Sequence, residues 1–197
     1  MKTLPLLSPV AVLIFGAATV THAATWDAGG GADVLWSTPA NWSDDASPAG
    51  KTVVFENVGT TDFLTVGNRV DADLSVESLQ YHNVGAGSGD WQVTEISTGA
   101  TLTLGGAAVP FEVGLSGAGI RTTQVAIRGG GKLLIDQDGA NISLGNNSTS
   151  SANSNTIIDL SDLAEWEVNL GNGSFGVGNA ERNGVTLLLS ASTSVTA

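Results

Sequence analysis

Four times in this chain an aliphatic residue, a glycine and an asparagine follow one another: Val66-Gly67-Asn68, Leu144-Gly145-Asn146, Leu170-Gly171-Asn172 and Val177-Gly178-Asn179. Leu104-Gly105-Gly106 is a looser relative. Glycine and asparagine take positive φ most readily, so an inward-facing aliphatic residue followed by this pair closes a strand at a corner. A chain that makes one corner repeatedly is restricted to folds assembled from many short, equivalent strands. Those folds are a β-sandwich or barrel, and a solenoid of stacked coils.

The runs between corners agree. Val53 to Phe55, Phe63 to Val66, Thr101 to Leu104, Asn141 to Leu144 and Glu165 to Leu170 read as short strands. In the last, Trp166, Val168 and Leu170 fall on one face and Glu165, Glu167 and Asn169 on the other, the period of two expected of a half-buried strand. Val185, Leu187 and Leu189 alternate in the same way with Thr186, Leu188 and Ser190. Only the segment from Thr156 to Val168 competes as a helical turn. Its paired isoleucines and the Asp159-Leu160-Ser161-Asp162 sequence favour strand, turn, strand. The fold class is all-β.

Antiparallel hairpins favour tight two-residue turns between strands of matched length. Asp138-Gly139, Asn172-Gly173 and Asn183-Gly184 would serve, so an antiparallel β-sandwich is the alternative. Uneven spacing and very short runs favour a parallel β-helix, in which each strand pairs with its equivalent in the coils above and below. Like side chains then stack about 4.8 Å apart, with aliphatic ladders inside and asparagine or threonine ladders along the corners.

Residues 1–23 read as a secretory signal peptide: Lys2, an apolar run, and small residues at Thr21 and Ala23 before cleavage. Pro5, Pro9 and Gly16 interrupt the run, which argues against a spanning anchor. Export predicts a secreted or cell-surface location, outer-membrane or extracellular. The exported region has no cysteine, so packing and backbone pairing must supply its stability. The full chain, with 7 Lys+Arg against 19 Asp+Glu and a net charge of −12, would repel phosphate backbones and anionic lipid. Nucleic-acid and membrane-surface partners are not expected, nor is a membrane-spanning segment after cleavage. Low charged content (13 %) beside 42 % hydrophobic residues argues for an ordered body. Gly145 to Thr156, rich in Ser and Asn, reads as a flexible loop.

The stretch Thr25 to Phe55, with Trp26, Trp36 and Trp42 among glycines and aspartates, resembles the N-terminal region of bacterial exported proteins with autotransporter-associated β-strand repeats. Thr101 to Gly106 and Lys132 to Asn147 match that family in style. The resemblance implies a right-handed parallel β-helix, cell-surface placement and a passenger role without enzymatic activity. Three segments are expected: the signal peptide at 1–23, a Trp-rich N-terminal cap at 24–55, and β-helix coils over 56–197. The chain stops inside a strand pattern, so end-to-end continuation in a longer chain is expected.

No catalytic, cofactor-binding or metal-ligating set emerges. His82 is the one histidine after cleavage, and a zinc site would need further ligands. Asp44-Asp45, Asp71 to Asp73 and Asp136 to Gly139 lack calcium-loop spacing and read as solvated turn carboxylates. A polysaccharide lyase would need a basic residue beside a neutralised uronate. Of Lys51, Arg69, Arg121, Arg128, Lys132 and Arg182, only Arg121, Arg128 and Lys132 lie close in sequence. The expected role is a structural or adhesive surface passenger without enzymatic activity. The alternative is a carbohydrate-binding or lyase-like carbohydrate-active protein on the same scaffold, with surface polysaccharide or another cell-surface component as partner. Trp36, Trp42 and Trp91 are the candidate sugar-stacking residues. For Trp26, Trp36 and Trp42 the competing expectation, and the preferred one, is a lid over the apolar end of the first coil, because three exposed indoles would aggregate.

Overall fold

The computed structural model describes residues 23–56, 58–82, 90–114, 122–145, 155–178 and 184–196. After the two-residue strand β1 (Ala24–Thr25), the chain winds about five turns. Strands β2 (Thr52–Phe55), β3 (Asn68–Val70) and β4 (Leu74–Val76) form the first. Then come β5 (Ser78–Tyr81), β6 (Gln92–Ile96) and β7 (Thr101–Leu104), followed by β8 (Phe111–Val113) and the long β9 (Thr122–Asp136), which bends through two walls. The fourth turn is β10 (Asn141–Leu144), β11 (Asn155–Asp159) and β12 (Leu163–Asn169). The fifth is β13 (Ser174–Val177), β14 (Gly184–Leu188) and β15 (Thr193–Thr196).

Each strand pairs in parallel with its counterpart one turn away. The first wall runs β1-β2-β5-β8-β10-β13. The second runs β3-β6-β9-β11-β14, and the third β4-β7-β9-β12-β15. All strand-to-strand pairings among the described residues are parallel, which excludes the sandwich. The only antiparallel contacts there are the single bridges Trp26 to Trp42 and Thr61 to Trp91. This is a parallel β-solenoid.

The period of two becomes three stacks of inward side chains. On the third wall Leu74, Leu102, Leu133 and Trp166 are in register, as are Val76, Leu104, Ile135 and Val168. On the first, Phe55, Tyr81, Val113 and Leu144 are in register. Nearly all of these are fully buried. Burying each such side chain stabilises the fold by about 1.5 to 3 kcal/mol before the entropy of ordering is subtracted.

The corner after the first wall shows what the repeated glycines do. Gly114, Gly145 and Gly178 hold φ of 94°, 78° and 74°. Their N–H groups bond to Tyr81, Val113 and Leu144 O one turn back, at 3.0, 2.7 and 2.8 Å. A Cβ on Gly145 would stand 2.4 Å from Val185 Cγ2, so the position demands glycine twice over. Gly171 (φ 57°) makes the corresponding turn after β12.

Three expectations are corrected. Phe63 to Val66 is not a strand: the Asp62 carboxylate accepts the N–H groups of Leu64 and Thr65, each at 2.9 Å, and draws the backbone into a turn. Val66-Gly67-Asn68 leads into β3 rather than closing a strand. Asparagine ladders are also not the rule at corners. Asn172 is held by Asp138 Oδ1, which accepts its backbone N–H at 3.0 Å, and Asn141 Oδ1 accepts from Ser174 Oγ at 2.6 Å. The Thr156 to Val168 segment is strand, turn, strand. All but the last residue of the expected signal peptide at 1–23, and most of the expected loop from Gly145 to Thr156, lie outside the described residues. No helix of the described residues is long and apolar enough to cross a membrane.

Candidate functional site

The segment at 24–55 is a modified turn of the same solenoid. Thr25 pairs with Val54 and Leu35 bridges Arg69 in parallel, the registers of the first and second walls. Trp26 N–H bonds Val54 O at 3.0 Å, which sets its ring above Phe55, with centroids 5.8 Å apart. Trp42 meets Trp26 and Trp36 edge to face at 5.1 and 5.3 Å. Its Nε1 donates to Trp36 O at 2.9 Å, and Trp36 Nε1 donates to Asn68 Oδ1 at 2.8 Å. The three indoles are at most 1 % exposed. Trp36 and Trp42 therefore present no ring face to a sugar, and the sugar-stacking expectation narrows to Trp91.

Trp91 is half-buried and packs edge to face on Phe63 with centroids 4.7 Å apart. It exchanges two backbone bonds with Thr61, at 2.8 and 2.9 Å. Arg128, reaching from β9, donates through Nη1 to Phe63 O and through Nη2 to Leu64 O, at 2.9 and 2.8 Å. One guanidinium thus fastens the 58–67 loop to the second wall, and Leu64 at its tip is 82 % exposed. Hydrogen bonds from the Thr65 side chain and from the backbone of Thr65 and Leu64, with Arg128 beyond, hold the Asp62 carboxyl below its usual range. The sequence carried a signal for this loop in Asp62-Phe63-Leu64, an Asx-turn residue before two apolar ones. Phe63 becomes visible as Trp91's partner only once the register is known.

Beside it, at the corner after the first wall, lies a recess of about 10 Å3, the space of one water molecule. His82, Glu56, Asp90, Gln92 and Gln124 line it. Gln92 Nε2 donates to Glu56 O at 2.5 Å and Val58 O at 3.2 Å, while its Oε1 is buried without a partner among the described residues, as is His82 Nε2. Burial pushes the His82 imidazole below its usual pKa, and the Glu56 charge opposes that shift.

The basic side chains among the described residues are occupied. Lys132, on the third wall, pairs with Glu165 at 2.9 Å and with Glu167, while Arg69 pairs with Glu95 at 2.9 Å on the second. Arg121 and Arg182 lie outside the described residues. The acidic candidates serve turns: Asp71 accepts from Ser37 N and Oγ, Asp73 from Thr101 N, and Asp44 pairs with Lys51. A cleft of about 190 Å3 beside Asp71 and Asp73 is closed on one side by Trp36. Among the described residues no three His, Cys, Asp or Glu side chains converge as a metal-binding group.

No family model, curated protein or solved structure matches this chain. The parallel solenoid rests on strand register, and the role of the chain must be argued from what its surface can do.

Proposed function

We propose that the chain is an exported, non-enzymatic structural or adhesive passenger, a rod of stacked coils displayed at a bacterial surface. The observation that carries this reading is parallel pairing from turn to turn in all three walls, with one register shift between Leu163 and Glu165, and with the outer charged groups holding turns and neighbouring strands together. Such a body resists extension along its axis, since lengthening it would stretch three backbone ladders at once. Its work would be to project and present. The leader at 1–23 and the resemblance of Thr25 to Phe55 to autotransporter-associated repeats supply the context of export.

Export is tested by expressing the full chain in a bacterial host, fractionating the cells and sequencing the N-terminus of the product. A mature chain starting at Ala24, outside the inner membrane and open to protease on intact cells, is expected. Retention in the cytoplasm with the leader intact would overturn the reading. Incubation with polyuronates, with and without calcium, is expected to give no ultraviolet-absorbing unsaturated product; its appearance would restore the lyase.

The Trp91 and Phe63 pair favours a second reading, a carbohydrate-contacting adhesin. A half-buried indole next to Asp90, paired through its backbone with Thr61 and packed on Phe63, has the mixed apolar and polar character that sugar rings require. A glycan array on which the wild-type chain binds and Trp91→Ala does not, at equal thermal stability, would establish it. An array without wild-type binding would remove it.

A further inference from the structure

We propose that the recess at the corner after the first wall is a built site for one water molecule, held between Gln92 Oε1 and the His82 ring and bracing the base of the 58–67 loop. The starting observation is a polar residue in an apolar column. Gln92 opens β6 at an inward position of the second wall, in register with Val125, which is in turn in register with Ile158. Val125 and Ile158 are fully buried, and Gln92 is only 6 % exposed. An amide in a core column must find partners for two donors and an acceptor.

Its donors are used. Nε2 donates to Glu56 O at 2.5 Å and to Val58 O at 3.2 Å. Both partners are carbonyls, which only accept, so the amide cannot be turned over and Oε1 is the atom directed away from them. That acceptor is buried and takes no hydrogen bond among the described residues. His82 is left over in the same place. Its backbone N–H bonds Phe55 O at 2.7 Å and continues the first-wall ladder, while Nε2 of its ring is buried with no partner among the described residues. Both side chains line one recess of about 10 Å3, the space of a single water.

Two orphaned polar atoms on a water-sized space select the occupant. One O–H of a water donates to Gln92 Oε1. The same molecule meets His82 whichever ring nitrogen carries the proton, since a bare Nε2 accepts the second O–H and a protonated Nε2 donates to the water oxygen. The nearby Tyr81 hydroxyl is already engaged with Thr94 Oγ1 at 2.7 Å. Glu56 and Asp90 also line the recess, yet among the described residues they do not converge with His82 as a metal-binding group. Any organic ligand exceeds the volume.

The site gives the loop a second anchor. Arg128 holds its tip through Phe63 O and Leu64 O, and Gln92 holds its base through Val58 O. The water then braces the Gln92 amide against His82, so that the loop base, the end of the first wall and the second wall meet at one buried molecule. A bridging water of this kind is nearly as favourable as a direct hydrogen bond.

A crystal structure of the wild-type protein that shows ordered solvent, joined to magnetic relaxation dispersion of water oxygen in solution, tests this. A single water is expected at about 2.7 to 3.2 Å from both Gln92 Oε1 and His82 Nε2. The relaxation signal of long-lived water should fall by about one molecule in His82→Phe, which keeps a ring without nitrogen, and in Gln92→Met, which keeps the length without the acceptor. Circular dichroism establishes that the variants are folded. An empty recess in the wild type overturns the proposal, as does an ion there or a protein side chain bonded to Gln92 Oε1 in the water's place. So does a crystal water with no long-lived counterpart in solution, or a signal that persists undiminished in both folded variants.

Discussion

The indole N–H of Trp36 donates to Oδ1 of Asn68 at 2.8 Å, joining the cap to the first strand of the second wall with both residues fully buried. Asn68 Nδ2 faces Val93 O of the next turn at 3.4 Å, so one amide links three consecutive layers. Asn68→Ala would strand the buried Trp36 indole donor, while Val93 O would keep the Gly67 N–H it accepts at 3.0 Å. An unsatisfied buried group costs about 1 to 3 kcal/mol, and the lost side-chain volume adds to it. Urea denaturation should show the midpoint falling by that measure, with little change in slope.

Trp42 touches Trp26, Trp36 and Phe55 at once. Trp42→Ala would open a cavity at the end of the core with no side chain free to fill it. A loss of about 3 to 5 kcal/mol is expected, the range for truncating a buried large aromatic residue. In the wild type, cap fluorescence should be blue-shifted and indifferent to added glycans. A red-shifted signal quenched by glycans would place one of the rings outside the core.

Much of this was legible in the sequence because both devices of the fold are local. Alternation at Thr101 to Leu104 and Trp166 to Leu170 needs only neighbouring residues to be read. So does a glycine after an inward aliphatic, as at Gly145 and Gly171. What stayed hidden depends on register between turns. Phe63 looks like a strand residue until Asp62 is seen to capture two N–H groups, and its ring acquires meaning from Trp91, which lies in the next turn. Asn68 reads as one more corner asparagine. Its role as acceptor for Trp36 follows from the wall in which each happens to fall, and no spacing announces it.

Gly129 and Gly99 separate two reasons for a glycine. Gly99 (φ 80°) has open space where a Cβ would stand, so Gly99→Ala should cost only the backbone strain of a left-handed residue, about 1 to 2 kcal/mol. Gly129 (φ 110°) lies where β9 turns between walls, and a Cβ there would come within 2.3 Å of Ile96 O. That carbonyl belongs to the adjoining turn and cannot retreat without disturbing the ladder. Gly129→Ala should therefore be clearly more damaging, by thermal melts of the two variants side by side. Equal losses would show that the corner yields more readily than its contacts imply.

Acidification should weaken the fold in two stages. His82, the only histidine among the described residues, has its pKa lowered from about 6.5 by burial, with Glu56 opposing. Above pH 6.5 it is neutral whether the chain is folded or not and favours neither state. As pH falls through 6.5 toward the folded value, the unfolded chain takes the proton first, so stability declines. Lower still, hydrogen bonds from Thr38 to Asp33, Lys51 to Asp44, Thr65 to Asp62 and Lys132 to Glu167 hold those carboxyls below their ordinary values. Their contribution is present above about pH 4 and is lost as pH falls through their folded values. Glu112, raised by burial, acts in the opposite sense: the cost of its buried charge is relieved as pH falls through its folded value toward 4.5, before the second stage begins. Denaturation midpoints for the wild type and His82→Gln separate the stages. The variant should lose the decline that sets in below about pH 6.5 and keep the one below about pH 4. An equally steep decline in His82→Gln would assign the first stage to other groups.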